Sequence, residues 1–224
     1  MRKIAILLSG GSGSRMGSDL PKQFLKLENG LTILATTVLK FAENCNIDEV
    51  IVVANESFKE ETCRVIKNLS LNKPCKVVNG GNTRQESSFY GVKAIENPQN
   101  DDVILIHDVA RPFVSDEIIN NSVKAIEKYD AASTVVPSSD TIYLLNAANE
   151  VIEIPERKNL CNVQTPQTFK YQIIMQAHSE AEKVCKFDFT DDSGMVHYFK
   201  LATVGTVAGD VKNKKITYLS DIKN

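Results

Sequence analysis

The sequence predicts an α/β protein whose mainly parallel sheet is covered by helices on both faces. Three observations carry this expectation. Short apolar, β-branched runs recur along the 224 residues, segments with helical periodicity separate them, and most of the runs are continuously apolar instead of alternating. A strand that is apolar on both faces is buried on both, as happens when each crossover returns through a helix. The length suits one compact domain over residues 1–224.

Each element follows in order. The run KIAILL (3–8) reads as the first strand and opens into a loop holding Gly10, Gly11, Gly13 and Gly17, with Arg15 and Lys22 beside them. A helix is expected over 31–44, a strand at EVIVVAN (49–55), a helix over 57–70 and a strand at CKVVNG (75–80). Thr83 and Glu86 have capping-box spacing, so the next helix, 83–97, starts as the chain leaves that strand. The strand DVILIHD (102–108) leads to a helix over 115–129, where Ser115 is the N-cap, Asp116 and Glu117 fill the first turn, and Ile119, Val123 and Ile126 share a face. ASTVVP (132–137) is a further strand. DTIYLLNAANEVIEIPER (140–157) then breaks the alternation with two short β-prone runs around a polar turn, a protruding hairpin. A helix over 170–185 and a strand at FKLATVGT (199–206) complete the pattern.

Composition removes several function classes. A net charge of −2 supplies no global basic field, so nucleic acid is not an expected partner and any anion must be held by local charge. Five widely spaced cysteines without a C-x-x-C pair suggest neither a disulfide framework nor a zinc site, and are expected to be reduced, mostly buried thiols of a cytoplasmic protein. The basic start and short apolar run of MRKIAILLSGG lack a cleavage site and form a strand, not a signal peptide. No apolar stretch approaches the roughly 18 residues of a membrane span.

Ligands of wound sheets collect at the carboxyl ends of the strands, here the tips at 9–24, 79–87, 107–112, 138–141 and the stretch after VGTVAGD. The first tip fails both familiar phosphate fingerprints. It lacks G-x-x-x-x-G-K-[ST], and Gly11, Gly13 and Gly17 are one residue too widely spaced for G-x-G-x-x-G. What remains is a longer glycine loop whose amides can face phosphate oxygens, with Arg15 and Lys22 adding charge. In IHDVARPF, Asp108 ends an apolar strand beside that loop, a placement that suits Mg2+, which takes one or two protein oxygens and leaves the rest to phosphate and water. His107 reads as a structural neighbour, and His178 and His197 receive no role. The clusters at Asp188, Asp191 and Asp192 and at Asp210, Lys212, Lys214 and Lys215 read either as solvated charge runs or as parts of the site. An NAD-dependent oxidoreductase and a non-catalytic nucleotide-binding protein are the alternatives on this architecture, the first weakened by the glycine spacing and by the lack of a convincing ribose-binding acid after the second strand.

Six stretches, GGSGSRMG…PKQF, GGNTRQES, HDVARPF, QTPQTF, TDDSG and GDVKNKKIT, in this order, resemble the cytidylyltransferases that form CDP-activated sugar alcohols from 2-C-methyl-D-erythritol 4-phosphate or ribitol 5-phosphate. The resemblance covers nearly the whole chain. It implies a Rossmann-like nucleotidyltransferase fold of the GT-A-like, three-layer kind, with CTP lying along Ser9, Gly10, Gly11, Ser12 and Gly13, and Mg2+ near Asp108 as cofactor. Arg15, Lys22 and Lys215 take the catalytic charge-stabilising roles. Gly80, Gly81 and Asn82 read cytosine, Ser87 approaches a phosphate, and Arg84 and Val109 complete the nucleotide site. The acceptor, an alditol phosphate, falls to Asp108, Arg111 and Thr190, together with Thr141 and Arg157 from the hairpin of a second subunit. The hairpin, at about 138–160, is then a dimerisation arm, and the protein a C2 homodimer with arm-exchanged sites. Asn82 stands where aspartate is frequent, Val109 where alanine is, Lys214 where an apolar residue is usual and Leu219 where proline is. The chain also stops about ten residues early, inside the family's final helix. IPERKNLCNVQTPQ, TDDSG and the paired glycines of LLSGG give a slight lean to ribitol 5-phosphate.

Overall fold

The structure, a computed structural model, describes residues 1–10 and 21–222, and for Leu219 it describes the backbone alone. Nine strands are present among these: β1 (Lys3–Ser9), β2 (Glu49–Ala54), β3 (Cys75–Asn79), β4 (Val103–Asp108), β5 (Ala131–Pro137), β6 (Leu144–Leu145), β7 (Val151–Glu153), β8 (Cys161–Lys170) and β9 (Val204–Ala208). The helices are α1 (Ile33–Glu43), α2 (Lys59–Lys67), α3 (Arg84–Lys93), α4 (Asp116–Ala125), α5 (Tyr171–Lys183) and α6 (Asp192–Tyr198). Seven strands form one sheet in the order β3-β2-β1-β4-β8-β5-β9, and all but β8 run parallel.

Alternate side chains of the central strands feed two cores. Ala5, Leu7, Val50, Val52, Val103 and Leu105 pack beneath α1, α2 and α4. Ile4, Ile6, Ile51, Val53, Ile104 and Ile106 pack against α3, α5 and α6. Three layers result, as the continuous apolar runs require. Helix α3 approaches the sheet most closely at Gly91, where a Cβ would lie 2.5 Å from Ile6 Cγ2. No helix among the described residues is long and apolar enough to cross a membrane.

The caps read from the sequence are present. Thr83 and Glu86 close a reciprocal capping box on α3, and Ser115 Oγ accepts from the Ile118 amide at the start of α4. The hairpin is also there, with β6 and β7 paired antiparallel and carrying exposed Tyr143, Leu144, Leu145, Val151, Ile152 and Ile154.

Three readings need correction. Residues 161–170 form β8, the antiparallel strand between β4 and β5. It escaped notice because its buried residues include Gln164, Thr165, Gln167 and Thr168, so no apolar run marks it. The strand expected at 199–206 is confined to 204–208. Asp191 caps a short helix, α6, and Phe199 packs at its end against Phe189 and Tyr198. Lys200 then turns with φ 54° before the strand begins. The cysteines are free but not buried: Cys45, Cys63, Cys161 and Cys185 are exposed and Cys75 is half-buried, since they occupy helix ends, outer faces and strand starts instead of the core runs.

Candidate active site

The parallel strands deliver their carboxyl ends to one edge, where β8 runs in from the opposite direction and adds residues 163–165. Two adjoining cavities lie there. One, of about 220 Å3, is lined by Leu8, Gly10, Lys22, the 81–84 turn, Ser87, Asp108, Ala110 and Lys215. The other, of about 310 Å3, is bounded by Arg84, Asp108, Arg111, the β8 residues 163–165 and 167, Thr190, Asp191 and Lys215. Arg84, Asp108 and Lys215 belong to both, so they form the shared wall.

That wall is an ion cluster. Lys215 Nζ donates to Asp108 Oδ2 at 2.7 Å, and Arg84 Nε donates to Asp108 Oδ1 at 3.3 Å. Arg84 also reaches backward, its Nη1 donating to Asp192 Oδ2 at 2.7 Å. Burial by itself would raise the Asp108 pKa, but Arg84 and then Lys215 overcome it and hold the carboxyl well below the usual carboxylate range. Burial likewise opposes the charge on Arg84, and Asp192 followed by Asp108 reverses this, leaving the guanidinium more firmly protonated than an ordinary arginine.

Beneath the wall, the tip of β4 is fixed by a network with one consistent proton assignment. The Asp108 amide donates to Thr165 Oγ1 at 3.1 Å, so that hydroxyl has its own hydrogen free for His107 Nδ1, 3.0 Å away. His107 Nε2 faces the Arg111 carbonyl at 3.1 Å, and a carbonyl only accepts, so Nε2 carries the proton. His107 is fully buried beside Phe41, and burial pushes its pKa down to about 4. It is a neutral strut, as the sequence suggested, not a general base.

Arg111 presents a cation with no carboxylate in ion-pair range among the described residues. Its Nη1 donates to the Asn213 carbonyl at 2.8 Å and its Nη2 to the Val163 carbonyl at 3.4 Å. Carbonyls orient a guanidinium without neutralising it, which leaves Arg111 suited to an anion in the larger cavity. Asn213, fully buried, also donates to Gln164 Oε1 and the Thr165 carbonyl, tying the Lys215 segment to β8.

On the side of the smaller cavity, the turn after β3 packs tightly on α3. A Cβ at Gly81 would lie 2.3 Å from Glu86 Cβ, so only glycine fits. The amides there are already committed: Gly80 to the Ala54 carbonyl at 2.7 Å, Gly81 to Ser87 Oγ at 3.2 Å and Asn82 to Glu86 Oε2 at 2.6 Å. The turn therefore has carbonyls, not amides, to offer a ligand. Lys22 donates to the Ile216 carbonyl at 3.1 Å, which links the first loop to the Lys215 segment.

Several expected site residues thus converge: Gly10, Lys22, Gly81, Asn82, Arg84, Ser87, Asp108, Arg111, Thr190 and Lys215 line one cavity or the other. Gly80 stands just behind them, its Cβ position 2.9 Å from Ser87 Oγ. Ser9 is buried, its carbonyl accepting from Gln23 Nε2. Val109 does not face a cavity; its side chain is in the core and its carbonyl accepts from Thr37. Thr141 and Arg157 are exposed on the arm and line neither cavity of their own chain, and Arg157 Nη1 donates to the Ser139 carbonyl at 3.3 Å. Gly11, Ser12, Gly13 and Arg15 lie outside the described residues. Sequence reasoning missed Gln164, Gln167, Asn213 and the anchoring part of Asp192. The motifs QTPQTF and TDDSG held the signal, because buried glutamines and an aspartate pair have to be partnered by something.

Over residues 3–224 the chain matches the family model described as IspD: 2-C-methyl-D-erythritol 4-phosphate cytidylyltransferase. The chain belongs to this family. It is 40% identical over 218 residues to the 2-C-methyl-D-erythritol 4-phosphate cytidylyltransferase of Clostridium beijerinckii, spanning 97% of this chain and 94% of that protein. To the enzyme of the same name from Thermobifida fusca it is 37% identical over 226 residues, with 99% and 90% covered. The crystal structure of 4-diphosphocytidyl-2C-methyl-D-erythritol synthase from Anaerococcus prevotii has a TM-score of 0.86 at 28% identity, covering 99% of this chain and 95% of that one. That of Francisella tularensis 2-C-methyl-D-erythritol 4-phosphate cytidylyltransferase has a TM-score of 0.82 at 29% identity, covering 100% and 97%. The IspD-family chain is therefore a cytidylyltransferase on a Rossmann-like nucleotidyltransferase fold. Nothing in these relatives supports the lean toward ribitol 5-phosphate, and none of them is an oxidoreductase.

The buried histidines of this family member set a pH response. His178 faces Ser88 Oγ at 3.4 Å and stacks on Phe89, and burial lowers its pKa to about 4, as for His107. An unfolded chain has both near 6.5 and so binds more protons between about pH 6.5 and 4. The two rings should therefore cost stability as pH drops through that window, by up to roughly 3 kcal/mol each, with no further loss from them below it. Asp108, with its pKa depressed, keeps most of its contribution across the same window, because that begins to be lost only near the ordinary carboxylate value of about 4 and goes on falling toward its lowered one. Thermal melts from pH 7 to 4 should slope downward, and less steeply in His178→Gln; equal slopes would contradict the assignment.

Proposed function

We propose that this enzyme transfers a cytidylyl group from CTP to 2-C-methyl-D-erythritol 4-phosphate, with Mg2+ as the divalent ion, in an arm-exchanged homodimer. The observation that carries the reading is the shared wall: one buried carboxylate held between two cations where two cavities meet. CTP in the smaller cavity and the acceptor in the larger would bring their phosphates together at Arg84, Asp108 and Lys215.

A non-bridging oxygen of the acceptor phosphate attacks the α-phosphorus, a new P–O bond forms, and the bond to the β-phosphate breaks with its electron pair leaving on pyrophosphate. The nucleophile is already an anion, so no general base is needed, in keeping with a neutral, fully engaged His107. Charge builds on the α-phosphoryl oxygens and the leaving group. Lys22 and Lys215, with Arg15 from the first loop, stabilise it by fixed position and charge. Arg111 and Thr190 hold the acceptor. The carbonyls of the 80–82 turn suit cytosine, whose exocyclic amine donates where uracil presents an acceptor.

The residues fit a magnesium ion of limited protein coordination. No group of three or more acidic, histidine or cysteine side chains among the described residues could hold a metal by itself. Asp108 spends one hydrogen bond on each oxygen, and a carboxylate oxygen has a second lone pair to give. One carboxylate completed by substrate phosphates is a usual Mg2+ arrangement. When bound, the ion would neutralise phosphate charge.

The arm supports the dimer reading. Its exposed apolar side chains are left uncovered by the described residues, and Thr141 and Arg157 stand away from both cavities of their own chain. A second copy would cover the first and use the second.

Two measurements test the reading. Pyrophosphate release from CTP should show kcat/KM at least about tenfold higher with methylerythritol phosphate than with ribitol 5-phosphate; the reverse preference would overturn the acceptor. Lys22→Ala and Arg157→Ala should each lose about a hundredfold or more, and mixed heterodimers should regain activity because one of their two sites has both residues intact. Heterodimers as inactive as either parent would rule out exchanged arms.

A further inference from the structure

We infer that Asp192, braced by Ser88, is a positioning residue for the transfer: it holds Arg84 back from Asp108 so that the Asp108 carboxylate stays available to the substrates. The inference rests on the reading of the shared wall as the reaction centre, but not on which alditol phosphate is used.

Arg84 stands between two carboxylates and divides itself unequally, at 2.7 Å from Asp192 and 3.3 Å from Asp108. Asp192 is the firmer anchor. It is only 1% exposed, at the first position of α6, and it is held from three sides. Ser88 Oγ donates to its Oδ1 at 2.6 Å, Arg84 Nη1 takes its Oδ2, and its amide donates to Gln167 Oε1 at 3.0 Å. Gln167 is itself fully buried on β8 and donates through Nε2 to Asp191, the N-cap of α6. Neither aspartate of this pair is therefore a solvated surface charge. One caps a helix, and the other reaches through α3 to the wall between the cavities.

The arginine fork makes this division possible. A planar guanidinium can serve two carboxylates along different edges at once. Without the Asp192 charge, Arg84 has one carboxylate left in reach and closes on Asp108, which Lys215 already holds at 2.7 Å. Asp108 would then be neutralised by two tight cations and withdrawn from whatever it must meet in the larger cavity. Ser88 contributes by fixing the carboxylate rotamer, since Oδ1 held by the hydroxyl leaves Oδ2 facing Arg84. His178, 3.4 Å from that hydroxyl and neutral, adds no competing charge.

The test is a double-mutant cycle on purified full-length protein, read by pyrophosphate release from CTP with methylerythritol phosphate, alongside thermal melts. Asp192→Asn in the wild-type background should lower kcat/KM for the acceptor about tenfold or more, while KM for CTP moves less than about twofold. The same change on top of Arg84→Gln, with the residual rate read at raised enzyme concentration, should cost less than about a further twofold, because there is no guanidinium left to misplace. A merely structural Asp192 would act through α6 and carry the same fold-loss into both backgrounds; that result, or an unaffected Asp192→Asn, overturns the inference. Ser88→Ala should repeat the pattern at about two- to fivefold, and it decides the matter by the same comparison if Asp192→Asn does not fold. Wild-type protein inactive with methylerythritol phosphate would sink the acceptor assignment alone, since the cycle then runs with ribitol 5-phosphate and the ratio between backgrounds still decides the role of Asp192.

Discussion

A buried carboxylate kept ionised between two cations is the constraint around which this molecule is arranged. Asp108 ends the central strand β4 at 8% exposure, where an unpaired charge would cost several kcal/mol. Lys215 and Arg84 remove that cost only if the segment after β9 and the first turn of α3 are both brought to the tip of β4. Much of the surrounding structure serves this. Asn213 ties the Lys215 segment to β8, the capping box fixes the start of α3, and the His107–Thr165 pair holds the Asp108 backbone.

The same arrangement explains why the site is electrostatic instead of nucleophilic. Its charged groups are arginine and lysine with the carboxylates of Asp108 and Asp191, while the nearest histidine is buried, neutral and bonded through both ring nitrogens. Such a set can orient phosphates and stabilise developing charge, but it has no activated nucleophile with which to form a covalent intermediate. A reaction between two phosphate-bearing substrates asks for little more.

Much of the fold was legible because its central strands obey simple rules. β1, β2 and β4 are apolar on both faces, and α3 and α4 begin with cap residues at fixed spacing. What was hidden shares one physical feature, burial of polar side chains. β8 is stitched in by Gln164, Thr165, Gln167 and Thr168, and α6 is anchored by Asp191 and Asp192, so neither has the hydrophobic period that reveals an element. Cavity-lining residues on the tips, such as Asp108 and Arg111, could be picked out by position and charge, whereas Lys215, in a run that read equally as solvated charge, was singled out by family likeness. Those acting through a second residue, Asn213 and Asp192, could not, because their meaning lies in partners some 50 to 110 positions away along the chain. Thr141 and Arg157 were singled out by family likeness alone, and they line neither of the two cavities of their own chain.

The central claim is that the Asp108 charge joins nucleotide and acceptor cavities into one reaction centre. Asp108→Asn, nearly equal in size, isolates that charge. Calorimetric CTP affinity and steady-state transfer should be measured on the same preparation. The account predicts that CTP without Mg2+ binds as tightly or more tightly, because a negative charge has left the neighbourhood of its phosphates, while kcat/KM for the acceptor with Mg2+ present falls about a hundredfold or more. A variant that transfers at nearly the wild-type rate would contradict it.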